Sequence, residues 1–400
     1  MNGLKINLKK NKKFKVVVFD FPGHPFQYDL SDKLSSDTEY KVYHLYNAKQ
    51  VGPKSSFREK EGLDIVQVNK SFSKNFYKRF FDEIAYSFIL SYHIVKIRPH
   101  SLISSNCPLI PQLFIFLLSK LLKINFIFWL QDIISIAAKE ILKKQKNPFM
   151  GLISELFFKI EFFILKNSKH IVTISEDFDD VLIENGVKKS KISCIPNWSP
   201  INDIPLFDKS NSFSKKYNID ESFNILYSGT LGFKHNPNVL IKLSKFLIQK
   251  NINAKIVIVS EGEVVNYLKK EANKYSLSNF LFLPFQDFNL FPRVLASADI
   301  SLVMLEKSAG QFSVPSKLLS ILCSGRIPLV FVSKMNLTSR IVLKNNCGVS
   351  VESQESLNNT ISDIYRNFSK YDHMPTNARK YAEKNFNIDN IGNKFKKIIR

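Results

Sequence analysis

Short runs of continuous apolar residues alternate with longer amphipathic stretches along most of the chain. Runs of four to eight bounded by polar turns predict buried strands, and apolar residues recurring every three to four predict helices. In the first half the pattern predicts strands at 14–19, 40–46, 64–68, 102–105, 124–130, 170–175 and 191–196. Helices are predicted over 72–97, 108–122 and 149–165, and from Glu176 onward. Residues 197–222 break the rhythm with Asn197, Pro200, Asn202, Asp203, Pro205 and a Ser/Asn/Lys run, which predicts a linker. The pattern then restarts. Strands are predicted at 224–227, 254–259, 280–283, 300–305 and 327–332. Helices are predicted at 239–250, 264–276 and 316–324, with another between the strands at 280–283 and 300–305. A last helix with Arg and Lys on its polar side is predicted over 377–399. Strands apolar on both faces, alternating with helices, predict parallel sheets covered on both sides. The expectation is therefore α/β: two Rossmann-like domains facing a cleft, at 1–200 and 223–376, a linker at 201–222, and a terminal helix at 377–400 crossing back to the first domain.

One apolar stretch, 109–130, is long enough to raise the question of a membrane span. Lys120 and Lys123 interrupt it. A charge at mid-span costs ~2.5–3.5 kcal/mol on insertion scales, so a buried helix followed by a buried strand is the better reading. No apolar core precedes Phe14, so a secretory signal is not expected. Lys5, Lys9, Lys10, Lys12, Lys13 and Lys15 form a basic arm that reads as a solvated tail.

The 400 residues suit two domains, and the 44% hydrophobic content rules out wholesale disorder. Cys107, Cys194, Cys323 and Cys347 are far apart and form neither a CxxC pair nor a metal-ligand spacing. Scattered cysteines suit a reducing cytosol. The formal charge of +22 divides into +12 over residues 1–150, −1 over 151–200 and +11 over 201–400. The excess has two readings: background composition in a Lys-, Asn-, Ile- and Phe-rich chain, or an anionic partner. Residues 69–98 sharpen the second. That stretch is apolar and aromatic, with Lys70, Lys74, Lys78, Arg79, Lys96 and Arg98. Either its aromatic residues face a core, or they meet an anionic bilayer surface.

Five constellations at predicted strand ends are candidates for chemistry. The first is the turn holding Gly23 and His24, placed where a helix N-terminus can meet a ligand. The second is Gln131-Asp132, which either faces the cleft or caps a helix. The third is the stretch from Ser228 to Asn236, with Gly229, Gly232 and Lys234. Its glycines allow close approach of an anion, and a diphosphate fits. The fourth is Ser260-Glu261-Gly262-Glu263, which lines the same cleft. The fifth runs from Gly310 to Gly325, where Pro315 and Ser316 open a helix with Lys317 in its first turn and Ser320 one turn on. A Lys at a helix N-terminus opposes the macrodipole, so an anion is expected beside it. There is no GxGxxG, Walker A, GxSxG, HExxH or loop Asp-x-Asp motif, and Asp179-Asp180 falls within a predicted helix. Metal-dependent chemistry and nucleophilic-serine hydrolysis are disfavoured.

Taken together and in order, the phrases DFPGHPFQ, FWLQDI, ISEDF, IPNWSP, LYSGTLGFKHNP, VSEG with VVNYLKK, LPFQ, LASADI and SVPSKLLSILCSGR resemble the family 4, retaining, nucleotide-sugar glycosyltransferases of the GT-B fold. The likeness is strongest to the bacterial exopolysaccharide and O-antigen branch, and runs from about Phe14 to the C-terminus. It implies transfer of a sugar from a nucleoside-diphosphate donor, UDP-linked in expectation, to a membrane lipid-linked saccharide. No metal or other cofactor is implied, and the protein would sit peripherally on the cytoplasmic face of the membrane. His24, Asp132, Lys234 and Lys317 would be catalytic, with Gly23 and His24 near the acceptor and the transferred sugar. Gly229 and Gly232 would lie on the diphosphate loop, Glu261 and Gly262 near the nucleoside, and Ser316 with Ser320 at the donor. The family pattern is not complete. Phe312 and Ser320 stand where many members carry two Glu, and Thr230 stands where an Arg is common. A UDP-sugar epimerase of the same fold, a catalytically silent relative, and a nucleic-acid binder suggested by charge alone are the competing readings.

Overall fold

The computed structural model describes residues 13–50, 57–73, 75–136, 148–305 and 315–400, and of residues 76, 148–150 and 234 the backbone alone. The basic arm up to Lys12, and Lys74, lie outside the described residues. The chain divides into two compact units: Met1–Gln131 with Leu156–Ile195 and Ile388–Arg400, and Asp132–Glu155 with Pro196–Asn387.

The first unit is built on seven parallel strands in the order β3-β2-β1-β4-β5-β6-β7. These are β1 (Phe14–Asp20), β2 (Tyr40–Tyr46), β3 (Leu63–Gln67), β4 (Ser101–Ser105), β5 (Asn125–Leu130), β6 (His170–Thr173) and β7 (Ile192–Cys194). Four helices accompany them: α1 (Pro25–Ser35), α2 (Phe76–Ile97), α3 (Leu109–Leu121) and α4 (Pro148–Asn167). A fifth, α5 (Glu176–Glu184), leads to β7. Val16, Val17, Val18, Phe19, Leu102, Ile103 and Ile127 are wholly buried, as strands covered on both faces require. The apolar stretch 109–130 is indeed a helix and a strand, and no helix among the described residues is long and apolar enough to cross a membrane. Asp179 is half-buried and accepts a hydrogen bond from Thr173 Oγ1 at 2.5 Å, so only Asp180 lies on a solvated face.

The second unit holds six parallel strands in the order β10-β9-β8-β11-β12-β13. They are β8 (Phe223–Ser228), β9 (Ala254–Val259), β10 (Phe280–Leu283), β11 (Ile300–Met304), β12 (Ile327–Phe331) and β13 (Val349–Val351). The stretch expected as a bare linker contains a short helix, α6 (Ser212–Lys216). Asn211 and Ser214 close a reciprocal capping box on it. Arg326 donates to Phe207 O, and Arg379 donates to Ile204 O and Cys323 O, which fasten the same stretch to this unit. Helices α7 (Asn238–Gln249), α8 (Glu263–Lys274), α9 (Phe291–Ala296) and α10 (Lys317–Cys323) lie between strands, as expected. The sequence pattern assigns nothing to residues 333–376, and the structure places α11 (Leu337–Lys344), β13 and α12 (Gln354–Arg366) there.

The single helix expected over 377–399 is two: α13 (His373–Asn385) and α14 (Ile388–Ile399). The break falls at Asn385-Phe386-Asn387, where Asn favours helix ends over helix interiors. Only α14 belongs to the first unit. Phe395 packs on Trp129 with ring centroids 4.8 Å apart, Lys396 pairs with Asp37 at 2.7 Å, and Ser101 Oγ donates to Ile399 O at 2.6 Å. A Cβ on Gly392 would come within 2.8 Å of Lys33 Cγ, so Gly392 lets α14 approach α1.

His44, on β2, is wholly buried, and its Nδ1 lies 2.8 Å from Ser31 Oγ. Burial pushes its pKa down to about 4, against a smaller upward pull from Asp20. The unfolded chain therefore binds this proton first, and stability falls as pH drops from about 6.5 to about 4. At full slope the effect is about 1.4 kcal/mol per pH unit. Urea unfolding at pH 7 and pH 5 should show this slope, and His44→Gln should flatten it relative to the parent chain.

Candidate functional site

In open α/β sheets, ligands meet the carboxyl ends of strands where the strand order reverses. In the first sheet that point lies between β1 and β4, and in the second between β8 and β11.

At the first point β1 ends on Asp20, which is wholly buried. The chain then turns through Gly23 (φ +78°), where a Cβ would come within 2.9 Å of the Tyr46 ring. His24 is the N-cap of α1 and Pro25 opens the helix. Asp20 Oδ2 accepts from the His24 backbone N–H at 2.5 Å and lies 3.0 Å from His24 Nδ1. Asn106, one residue past β4 and at φ +52°, donates to Asp20 Oδ1 at 2.7 Å. Gln27 donates to Ser105 Oγ at 2.8 Å, and Ser104 Oγ donates to Gln112 at 2.6 Å. A patch of buried polar side chains thus floors this end of the sheet. Gln131 and Asp132 follow β5, the first half-buried and the second exposed.

At the second point β8 ends on Ser228 and Gly229 follows at φ +118°. Its N–H donates to Val259 O at 3.0 Å. A Cβ there would come within 2.8 Å of Lys317 Cε, so the stem of Lys317 lies against the Gly229 backbone. Lys317 Nζ sits 5.3 Å from the centroid of the buried Tyr227 ring. Tyr227 donates its hydroxyl hydrogen to Thr230 O at 2.9 Å, and burial raises its phenol pKa. The Gly232 N–H donates to His235 Nδ1 at 2.8 Å. A short 3₁₀ turn, Phe233–His235, comes before α7, so Lys234 lies in that turn by its backbone. The amides of Gly229 and Gly232 are therefore committed within the loop. Gly229 contributes its conformation and its missing side chain, not a phosphate-facing N–H.

Ser316 is exposed at the start of the seven-residue α10, without a side-chain capping bond among the described residues, and Lys317 is its first residue. Ser320 Oγ lies 3.4 Å from Ser199 Oγ. β9 pairs with β8 in register, which brings Ser260-Glu261-Gly262 to the same sheet end. The Glu261 carboxylate accepts from Phe285 N–H at 3.1 Å. Gly262 has φ +111° with open space where a Cβ would stand. Ser260 Oγ is buried with no hydrogen-bond partner among the described residues. Phe312, Gly310 and Ser313 lie outside the described residues.

The structure thus joins Gly229 with Lys317, places Glu261 and Gly262 at the same sheet end, and pairs Ser320 with Ser199. Within the first unit it joins His24 to two residues that the sequence patterns do not single out, Asp20 and Asn106. Among the described residues, no three His, Cys, Asp or Glu side chains converge as a metal-ligand group.

Residues 209–381 match the family described as glycosyl transferases group 1. The putative colanic acid biosynthesis glycosyl transferase WcaI of Escherichia coli is 27% identical over 254 residues, 62% of this chain and 61% of the relative. The chain thus spans about three fifths of the length of that curated relative. Anabaena Alr3699/HepE, solved in complex with UDP-glucose, superposes with a TM-score of 0.71 at 12% identity over 96% of this chain and 98% of its own. WaaG, a glycosyltransferase involved in lipopolysaccharide biosynthesis, superposes with a TM-score of 0.68 at 16% identity over 96% of this chain and 99% of its own. Most of the second unit therefore lies in a segment that matches the glycosyl transferases group 1 family, in a chain whose fold is similar to that of WaaG.

Proposed function

We propose that the chain transfers a sugar from a UDP-linked donor to a lipid-linked saccharide in surface polysaccharide synthesis, with retention and without a metal. The carrying observation is Lys317 laid against Gly229 at the reversal point of the second sheet, inside the segment that matches the group 1 family. Lys317 and Lys234 stabilise the charge that develops on the departing diphosphate, which is electrostatic catalysis at a preorganised site. The acceptor hydroxyl attacks on the leaving-group face and passes its proton to the diphosphate. Glu261 and Gly262 take the nucleoside side, Ser316 and Ser320 the donor side, and Gly23, His24 and Asp132 the acceptor side. The UDP assignment draws on the UDP-glucose complex of HepE, and the pathway assignment on WcaI and WaaG.

A thermal-shift screen of nucleotide-sugars tests this first, because a ligand that binds only the folded state raises its stability. One donor is expected to stand out. Product analysis then separates the readings: a glycosylated acceptor supports transfer, an epimerised sugar made without acceptor supports the epimerase, and binding without turnover supports a silent relative.

The membrane part of the proposal rests on α2. Its inward positions Tyr86, Leu90, Ile94 and Ile97 are buried, as in any helix covering a sheet. Its outward positions are apolar as well: Tyr77 (73% exposed), Phe81 (68%), Ala85, Phe88 (64%), Tyr92 (62%) and Val95. A helix facing water carries polar residues there. Phe88 packs on Phe114 of α3, and Phe116 of α3 on Phe163 of α4, each at 5.8 Å, and Leu117, Leu121 and Phe163 extend the exposed apolar surface. The exposed charges on α2, α3 and residues 156–167 are all basic: Lys78, Arg79, Lys96, Lys120, Lys159 and Lys166. Apolar rings bordered by cations suit an anionic bilayer surface. The protein should float with anionic vesicles and much less with neutral ones. Changing Phe81, Phe88 and Tyr92 together to Ser should reduce flotation at least about tenfold, since each ring removes well over 1 kcal/mol of burial, while donor binding is retained. No flotation of the parent chain removes the membrane claim and leaves the transferase claim standing.

A further inference from the structure

Asp20 is a buried carboxylate at the first reversal point, and its burial needs explaining. It is wholly buried at the end of the central strand β1, and no Lys or Arg pairs with it among the described residues. A buried carboxylate is costly unless its oxygens are filled with donors. Here one oxygen takes the Asn106 amide and the other takes both the backbone N–H and the ring Nδ1 of His24. Asn106 reaches it from a left-handed backbone position just past β4, on the strand that flanks β1. Among the described residues, the only titratable side chain hydrogen-bonded to the carboxylate is therefore the imidazole of His24, whose side chain is 28% exposed.

We infer that Asp20 and Asn106 are positioning residues that fix the tautomer and ring orientation of His24. The carboxylate can only accept, so Nδ1 of a neutral His24 carries the proton and donates it to Oδ2 at 3.0 Å, a nearer partner than the Asn106 amide nitrogen at 3.4 Å. Asn106 holds the other oxygen and stops the carboxylate from rotating away. The lone pair is thereby set on Nε2, on the far side of the ring. This rests on the proposed transfer reaction for its purpose: Nε2 accepts from a neighbouring hydroxyl of the acceptor saccharide and so orients the attacking oxygen, whose own proton goes to the diphosphate. A purely structural role is the competing account, in which Asp20 only pins the turn into α1 through the His24 backbone N–H.

The tautomer decides between them without any substrate. In the full chain with ¹⁵N-labelled histidine, long-range ¹H–¹⁵N spectra report which ring nitrogen carries the proton, and His24→Gln assigns the signal among the seven histidines. The expected result is a protonated Nδ1 on neutral His24 in the parent chain. In Asp20→Asn the new amide can donate to Nδ1, so the proton should move to Nε2. Asn106→Ala keeps the carboxylate and should give a mixture of the two forms, which keeps the inference testable if Asp20→Asn does not fold. With the donor found by thermal shift, Asp20→Asn should lower kcat about 100-fold and leave donor KM within about threefold. A parent chain with the proton on Nε2, or variants that leave the tautomer unchanged, overturns the inference. Because the spectra are taken without ligand, they stand whether or not glycosyl transfer is found.

Discussion

Lys317→Ala should lower donor turnover by about 10²–10³-fold, with the folded state intact. The size follows from what one preorganised donor contributes to a developing oxyanion, ~2.7–4 kcal/mol. Lys317 meets the conditions for that contribution. Its stem is held in place by the bare backbone of Gly229 and its ammonium lies near the Tyr227 ring, so little reorganisation is needed when charge develops. It also opens α10, where the helix macrodipole disfavours a cation. Removing it should therefore cost the fold little, and a thermal midpoint close to the parent's is expected. The measurement is release of nucleoside diphosphate from the donor selected by thermal shift. Lys234→Ala is the companion variant. If both retain near-parental rates, the diphosphate is not bound where we place it.

Much of the fold was legible in the sequence for a simple reason. A strand buried on both faces must be apolar throughout, and β1, β5, β8, β9 and β12 advertise themselves accordingly. Residues 333–376 were not legible, because β13 is only three residues long and its neighbouring helices are polar. The direction of the aromatic residues on α2 was also hidden. A helix with two apolar stripes has no hydrophobic direction for periodicity to detect, and only the packed sheet shows which stripe is covered. The site was half legible. Gly229, Lys317 and His24 could be found as residues, but their partnerships could not. Gly229 meets Lys317, and Asp20 meets Asn106, only through the neighbours that strand order creates. The glycine loop was legible only in part. Its glycines suggested close approach of an anion, but not that Val259 and His235 hold two of its amides.

Gly229→Val should fail in a way that reveals this partnership. At φ +118° an L-residue is strained, by ~1–3 kcal/mol. The added Cβ would also stand 2.8 Å from Lys317 Cε. The flexible Lys stem can move aside, and that movement takes the ammonium away from its place. Turnover should therefore fall at least about 30-fold, beyond any loss of stability. In a double-mutant cycle with Lys317→Ala the two losses should not add, because the Val acts mainly by displacing a side chain that the second change removes. A coupling of about 1–2 kcal/mol is expected on that ground. Gly262 supplies the control. It has nearly the same backbone, φ +111°, but nothing within 4 Å of its Cβ position. Gly262→Ala should lower the thermal midpoint through strain, and any loss of donor binding on the nucleoside side should simply add to that of Lys317→Ala. Additive losses for Gly229→Val and Lys317→Ala would mean that Gly229 matters only for the turn after β8. The contact that carries the functional proposal would then be incidental.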